Sequence, residues 1–174
     1  MGHMQSKEDF AFTKAELKVL LKNFNELDMD GSGFLEPNEL FDVPELKDNP
    51  IVQRIVNVFD ENNDGCISFY EFVNGLSSLA SGSKPIEKYK FAFKIYDYNG
   101  DGYISNGDLY HMIKLMVKDS LGDIHIQQLV DRTMQAADLD KDGLLTFEEF
   151  VSYVKSTNIE KLFSMDILDN LQES

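Results

Sequence analysis

The sequence predicts an all-α protein in which four helix–loop–helix units form two pairs, one pair in each of two lobes. Three observations lead to this prediction. An acidic twelve-residue pattern with a central glycine occurs four times along the 174 residues. Apolar residues at helical spacing precede and follow each copy. The eighth position of each copy is apolar, which favours a short β pairing between the two loops of a lobe.

The most complete copy runs from Asp138 to Glu149 and reads D-x-D-x-D-G-x₅-E, the pattern of an EF-hand calcium loop. Calcium prefers about six to eight oxygen ligands, and a twelve-residue loop supplies them from positions 1, 3, 5, 7, 9 and 12. Gly143 at position 6 permits a backbone turn that a β-carbon would resist. The predicted ligands are the carboxylates of Asp138, Asp140, Asp142 and Glu149 and the backbone carbonyl of Leu144.

Three further loops upstream follow the same pattern, and the Asp138–Glu149 segment is therefore called loop four. The residue at position 7 is expected to contribute only its carbonyl. The predicted ligands of loop one are Asp28, Asp30, Ser32, Phe34 and Glu39; of loop two, Asp60, Asn62, Asp64, Cys66 and Glu71; and of loop three, Asp97, Asn99, Asp101, Tyr103 and Asp108. The sequence thus predicts up to four calcium ions.

The four loops differ in acid content. Loops one and four carry four side-chain acids each, counting Glu36 at position 9 of loop one, whereas loops two and three carry three. Loop three ends in Asp108, one methylene shorter than the usual Glu. Coordination through one oxygen favours the six-fold geometry of magnesium, so loop three is expected to select calcium least, with Mg²⁺ as its other ion. A loop three that binds no ion is the alternative. The Cys66 thiol is expected to be a bystander, because a soft sulfur suits a hard ion poorly.

Signals for helix starts place the flanking helices. Thr13 and Glu16 form a predicted capping box, and Pro37 lies in the first turn of the helix that leaves loop one. Asn49-Pro50 is expected to begin the helix that leads into loop two. The predicted division is an N-terminal segment at 1–12 with a tag remnant, lobes at 13–80 and 86–155, a linker at 81–85 and a C-terminal tail at 156–174.

Composition and charge narrow the functional class. A hydrophobic fraction of 43% is typical of a globular protein, and a formal net charge of −15 argues against binding to nucleic acid or an anionic membrane. No apolar run approaches the roughly 18 residues of a membrane-spanning helix, and no secretory signal is found. The single cysteine, Cys66, excludes an internal disulfide and fits a reducing compartment, so a cytoplasmic location is expected.

The spacing of the loops and several short segments point to a family. The loops begin at residues 28, 60, 97 and 138, so their spacing is uneven, unlike that of calmodulin. The informative segments are Pro44-Glu45-Leu46, Asn49-Pro50, Val52-Gln53-Arg54, 91–97 (FAFKIYD), 101–107 (DGYISNG) and 127–133 (QQLVDRT). Over residues 13–155 the chain resembles the calcineurin B family, the regulatory subunits of a calcium-dependent Ser/Thr protein phosphatase.

The resemblance implies a non-catalytic subunit that clasps an amphipathic helix of the calcineurin A catalytic subunit and makes its phosphatase activity calcium-sensitive. It also implies that Leu115, Met116, Val117 and Leu121 help to form, with the catalytic subunit, a docking surface for substrates and immunophilin–drug complexes. Residues 118–120 depart from the small and amide residues usual at this place. Packing within the third helix pair is the alternative role for Met116 and Val117.

The N-terminus leaves a membrane question open. Family members are commonly N-myristoylated, and residues 1–6 formally fit that pattern. The first four residues nevertheless favour a cloning remnant, so membrane association is expected only if the natural N-terminus is myristoylated.

Other functions stand as alternatives. One is another sensor of the superfamily, a calcineurin-B-like regulator of a kinase or ion exchanger. A second is a calcium buffer without a partner, which would need no apolar groove. A third is an enzyme, but no nucleophile–base set, P-loop or zinc pattern is found, and His111 and His125 lack clustered ligands. Against a buffer stands the apolar character of the C-terminal tail, which can instead fold over the groove until a partner displaces it. The apolar tail residues are Ile159, Leu162, Phe163, Ile167 and Leu168.

Overall fold

A computed structural model of the chain describes residues 12–41, 51–79 and 84–157. The regular elements of the described part are α-helices, four two-residue strands and one 3₁₀ turn at Lys118–Ser120, and the loops connect them. In chain order the elements are α1 (Lys14–Leu27), β1 (Phe34–Leu35), α2 (Pro37–Phe41), α3 (Val52–Phe59), β2 (Ile67–Ser68), α4 (Phe69–Leu79), α5 (Pro85–Tyr96), β3 (Ile104–Ser105), α6 (Asn106–Val117), α7 (Asp123–Ala137), β4 (Leu144–Leu145) and α8 (Phe147–Ser156).

The strands join the loops of each lobe in antiparallel pairs. Strand β1 pairs with β2, where Leu35 lies opposite Ile67, and β3 pairs with β4, where Ile104 lies opposite Leu145. These four side chains, all at position 8 of their loops, are at most 2% exposed. Burial of isoleucine and leucine side chains stabilises so short a pairing, since isolated two-stranded pairs are marginal in water. The predicted fold class is confirmed.

Helix starts follow the predicted signals where the structure describes them. The Thr13 amide donates to Glu16 Oε2 at 2.6 Å and the Glu16 amide donates to Thr13 Oγ1 at 3.3 Å, which is the predicted capping box. Helix α2 begins at Pro37, as predicted. Helix α5 begins at Pro85, a residue that the sequence analysis assigned to the linker. The predicted start at Asn49-Pro50, linker residues 81–83 and the tail beyond residue 157 lie outside the described residues.

Two apolar clusters form the core, and α5 contributes to both of them. Phe91 and Ile95 belong to the first cluster, with residues of α1 to α4 and Met112 of α6, whereas Ala92 and Phe93 belong to the second, with residues of α6 to α8. Successive helical residues point about 100° apart, so one helix can present two buried faces. The Phe91 ring packs edge-on against Phe59 of α3, with centroids 5.8 Å apart. The first helix of the second lobe is therefore also part of the first lobe's core.

Candidate calcium-binding loops

All four loops are folded around the aspartate at position 1. The amide of the position-6 glycine donates to the Oδ2 atom of that aspartate at 2.8 Å in loop one and 2.9 Å in the other three. The glycine φ angles lie between 84° and 88°, a region that a β-carbon disfavours. The four pairs are Gly33 with Asp28, Gly65 with Asp60, Gly102 with Asp97, and Gly143 with Asp138. The predicted role of the glycine at this position is therefore visible in the backbone.

Side chains at positions 3 and 5 shape the same turn. In loop four, the Asp142 amide donates to Asp140 Oδ1 at 3.1 Å, and the Leu144 amide donates to Asp142 Oδ1 at 2.8 Å. Loops two and three repeat both bonds, with Asn62 and Asn99 accepting at position 3. Loop one repeats them with the Ser32 hydroxyl at position 5. These bonds hold the predicted ligand oxygens on the inside of each turn.

The side chains at position 7 are exposed or half-buried, as expected where only the backbone carbonyl binds the ion. The Phe34 and Tyr103 side chains are 45% and 44% exposed, and those of Cys66 and Leu144 are half-buried. A side chain pointing away from the turn leaves only the backbone oxygen for an ion. Burial, followed by the charges of Asp64 and other loop carboxylates, raises the pKa of the Cys66 thiol. A protonated thiol fits the expected bystander role.

Position 12 separates loop three from the others. The position-12 glutamates of loops one, two and four accept hydrogen bonds from the amides at positions 2 and 3 of their own loops, across the turn. In loop four, Glu149 Oε1 accepts from Leu139 at 2.9 Å and from Asp140 at 3.4 Å. Glu39 and Glu71 make the equivalent pairs of bonds. Among the described residues, Asp108 of loop three accepts only from Ser105, through its amide at 2.8 Å and its hydroxyl.

The residue at position 9 was not predicted to hold the position-12 acid, and it does so in three loops. The hydroxyls of Ser68, Ser105 and Thr146 donate to the carboxylate three residues later. This is a capping box at the start of the exit helix, and its S/T-x-x-E/D spacing was readable in the sequence. Hydrogen bonds from the Thr146 amide and hydroxyl lower the pKa of Glu149. The carboxylate is therefore held ionised, the form that binds metal.

Position 4 is a second feature that the sequence analysis missed. Its residue has a positive φ in every loop: 71° at Gly31, 58° at Asn63, 73° at Gly100 and 63° at Lys141. Glycine and asparagine at three of these positions were a readable signal, since both tolerate the left-handed region.

The donor set fits a hard divalent cation. The acid oxygens of Asp28, Asp30 and Glu39 lie within 4.8 Å of one another, as do those of Asp138, Asp140 and Glu149. Unpaired carboxylates this close repel one another, and a dication that takes oxygen ligands offsets the repulsion. Loops two and three have Asn62 and Asn99 where those clusters have their middle aspartate. The acid-rich loops are thus the same two that the sequence ranked highest.

The predicted docking residues lie at the end of α6 and in the turn after it. Met116 is 49% exposed and Leu121 38% exposed. Leu115 packs partly buried against the first core cluster, and Val117 against the second. Between them and Leu121, Lys118 adopts φ 49° and ψ −126°, a conformation that costs a residue with a β-carbon on the order of 1–3 kcal/mol. Of the four predicted docking residues, Met116 and Leu121 are therefore the exposed ones.

No helix in the described ranges is both long enough and apolar enough to cross a lipid bilayer.

Comparison with known proteins places these loops in a family. A family model described as an EF-hand domain pair matches residues 17–77 and 86–155. The chain is 44% identical to the calcineurin B subunit of Yarrowia lipolytica over 94% of each chain. It is 45% identical to the calcineurin B subunit of Naegleria gruberi over 86% of this chain and 84% of that protein, and 44% identical to the human calcineurin B subunit of type 2 over 86% and 88%. The chain belongs to the calcineurin B family of EF-hand proteins.

Proposed function

We propose that this chain is a calcium-binding regulatory subunit that clasps an amphipathic helix of a calcineurin A catalytic subunit and confers calcium sensitivity on its phosphatase activity. The single observation that carries the proposal is the identity of 42–45% that extends over 86–94% of the chain to proteins named as calcineurin B subunits. The catalytic chemistry belongs to the other subunit in this proposal.

The loop geometry supports the calcium part of the proposal. Each loop already holds its position-1 aspartate on the position-6 amide, so few dihedral angles remain to be fixed when an ion binds. Bound calcium supplies positive charge that offsets the loop carboxylates. The position-12 acid lies at the start of the exit helix and so links the ligand set to the angle between that helix and the helix before the loop. A change in this angle is how EF-hand sensors expose an apolar groove.

The test measures binding to a synthetic peptide with the sequence of a calcineurin A regulatory helix, by calorimetry with calcium and with a chelator. A peptide of the same composition, reordered to destroy its apolar face, is the matched control. Binding to the first peptide alone, strengthened by calcium, is the expected result. A chain that bound neither peptide in either condition would contradict the proposal, and so would a chain that bound both equally.

We also propose that Met116 and Leu121 contribute to a docking surface shared with the catalytic subunit, for substrates and immunophilin–drug complexes. The favouring observation is that both side chains are exposed within five residues of each other. In the assembled complex, Met116→Gln with Leu121→Gln is expected to weaken capture of a docking-substrate peptide roughly tenfold, because two apolar anchors are lost. Leu129→Gln, at an apolar site 41% exposed on α7, is the control and is expected to leave capture unchanged. Equal losses in both variants would contradict this docking surface.

A further inference from the structure

Arg54 reaches from the first lobe to the start of loop three. It lies on α3, and its Nε donates to the carbonyl oxygen of Ile95 at 2.9 Å. Its Nη2 donates to the carbonyl of Lys94 at 2.9 Å and also to the carbonyl of Asp97. Carbonyls at the C-terminus of a helix have no partner within the helix, so the guanidinium caps α5 from outside. Asp97 is also position 1 of loop three.

Aromatic contacts continue this connection across the loop. The Arg54 guanidinium carbon lies 5.2 Å from the ring centroid of Tyr98, at position 2 of loop three. The Tyr98 ring stacks on His111 of α6, with centroids 5.1 Å apart and an interplanar angle of 18°. His111 Nδ1 lies 2.8 Å from the carbonyl oxygen of Gly107, in the first turn of the same helix. Arg54 thus contacts the backbone before loop three and, through Tyr98, the helix after it.

The same helix that carries Arg54 leads into loop two. Helix α3 ends at Phe59, and Asp60 at position 1 of loop two follows directly. The Phe59 ring lies so close to Gly75 of α4 that a β-carbon there would come within 2.6 Å of it. Phe59 also packs on Phe91 of α5. Because α3 has close contacts on both sides, a change in its angle to α4 also moves Arg54 relative to α5.

Partial burial of Arg54 makes its hydrogen bonds to α5 costly to break. The side chain is half-buried, and burial lowers its pKa, while the charges of Asp97 and Asp108 act in the opposite direction. A partly desolvated guanidinium that lost its acceptors would be destabilised, because hydrogen bonds to charged groups are costly to leave unmade.

We propose that Arg54 couples loop two to loop three, so that an ion in loop two raises the calcium affinity of loop three. An ion in loop two fixes the angle of α3, which holds Arg54 on the end of α5 and keeps Asp97 in its ligand position. Coupling between sites is reciprocal, so loop three strengthens loop two by the same factor. The inference rests on the proposed function, because both loops must bind calcium.

The experiment is a double-mutant cycle in the full-length chain. Calcium affinity of loop three is read from the NMR shift of the Gly102 amide in four proteins: the parent, Glu71→Gln, Arg54→Met, and the double variant. Loss of the loop-two ligand is expected to weaken loop three about fivefold in the parent, at the low end of typical coupling. In the Arg54→Met background the same change is expected to have no effect.

Controls separate the possible outcomes. Arg132→Met replaces the exposed arginine of α7 and is expected to keep the full coupling. If Arg54→Met fails to fold, Arg54→Lys keeps the charge but not the fork that spans three carbonyls, and coupling is then expected to fall below about twofold. An equal effect of Glu71→Gln with and without Arg54 would overturn the proposal, as would a Gly102 amide that does not respond to calcium. If the NMR shifts of the Gly33 and Gly143 amides also did not respond to calcium, the proposed function itself would be overturned.

Discussion

Loops three and four share one lobe, one strand pair and the same hydrogen bond from the position-6 glycine to the position-1 aspartate. They differ at position 12. Glu149 accepts from Thr146 on its own helix side and from Leu139 and Asp140 across the turn, whereas Asp108 accepts, among the described residues, from Ser105 alone. The shorter side chain caps the exit helix as well as the longer one does. Only the longer one also closes the loop.

This difference separates two roles of the position-12 acid. Capping the exit helix requires reach over three residues and is met by Asp or Glu. Closing the loop requires reach back to its N-terminal end, and the added methylene of Glu provides it. The loops of one lobe can therefore be equally well folded and differ in how they hold an ion. The following predictions test this separation, from the largest expected effect to the smallest.

Metal removal is expected to have the largest effect on stability. With calcium at a hundred times its dissociation constant, each occupied loop adds about 2.7 kcal/mol to the free energy of unfolding. Adding a chelator should therefore lower the melting temperature strongly. Adding magnesium afterwards should raise the melting temperature less than adding calcium does. Calorimetric melting in the three conditions is the measurement. If the melting temperature were the same with calcium and with chelator, the prediction that these loops bind calcium would be contradicted.

Loss of the position-12 charge is expected to remove loop four as a calcium site. Glu149→Gln should weaken calcium binding there on the order of 100-fold, because the carboxylate that can grip the ion with both oxygens becomes a neutral amide. The Gly143 amide shift during a calcium titration reports the affinity. Glu148→Gln changes the neighbouring acid, which is exposed, and should leave that titration unmoved. Similar losses in the two variants would show that overall charge, not ligand position, is responsible.

Exchange of the two side-chain lengths tests the comparison most directly. Asp108→Glu is expected to strengthen calcium binding at loop three about tenfold, and Glu149→Asp to weaken it at loop four by a similar factor, because the number of carboxylate oxygens on the ion changes. Magnesium affinity should change less in both variants. Parallel titrations with the two ions measure this. An unchanged calcium curve for Asp108→Glu would mean that side-chain length at position 12 does not set selectivity.

The smallest effect is expected from a capping acid that lies outside any loop. Hydrogen bonds with the Thr13 amide and hydroxyl lower the pKa of Glu16. Its ionised form therefore stabilises the fold above the unfolded pKa, and this contribution is lost as the pH falls through the folded pKa. Glu16→Gln should slightly lower stability at neutral pH, and the difference from the parent should disappear in acid.

Denaturant unfolding at neutral and acid pH measures the capping role of an acid separately from its role as a ligand. Glu26→Gln on the same helix is the control, because its exposed pair with Lys22 contributes little. A loss for Glu16→Gln that persisted unchanged into acid would show that ionisation of Glu16 is not its source.

The geometry of the four loops was predictable because the pattern that specifies it is local. Twelve consecutive residues carry the oxygens at positions 1, 3, 5, 7 and 12, so the spacing seen in the sequence is the spacing around the turn. The buried pairing of Leu35 with Ile67 and of Ile104 with Leu145 joins residues far apart in the chain, and it was predictable because every loop has an apolar residue at position 8. The capping roles of Ser68, Ser105 and Thr146 were present in the sequence and were missed because position 9 was considered only as a ligand.

The sequence by itself determined four acid-lined turns and their flanking helices, because each of these depends on residues close together in the chain. It also indicated the pairing of the loops, because an apolar residue recurs at position 8 of every loop. Only the tertiary structure decided how the lobes meet. Arg54 and Ile95 are far apart in sequence, and nothing in the periodicity of either helix indicates that one caps the other. The structure also decided that α5 is buried on two faces. The cap and this burial both depend on distances between elements, which a linear pattern does not contain.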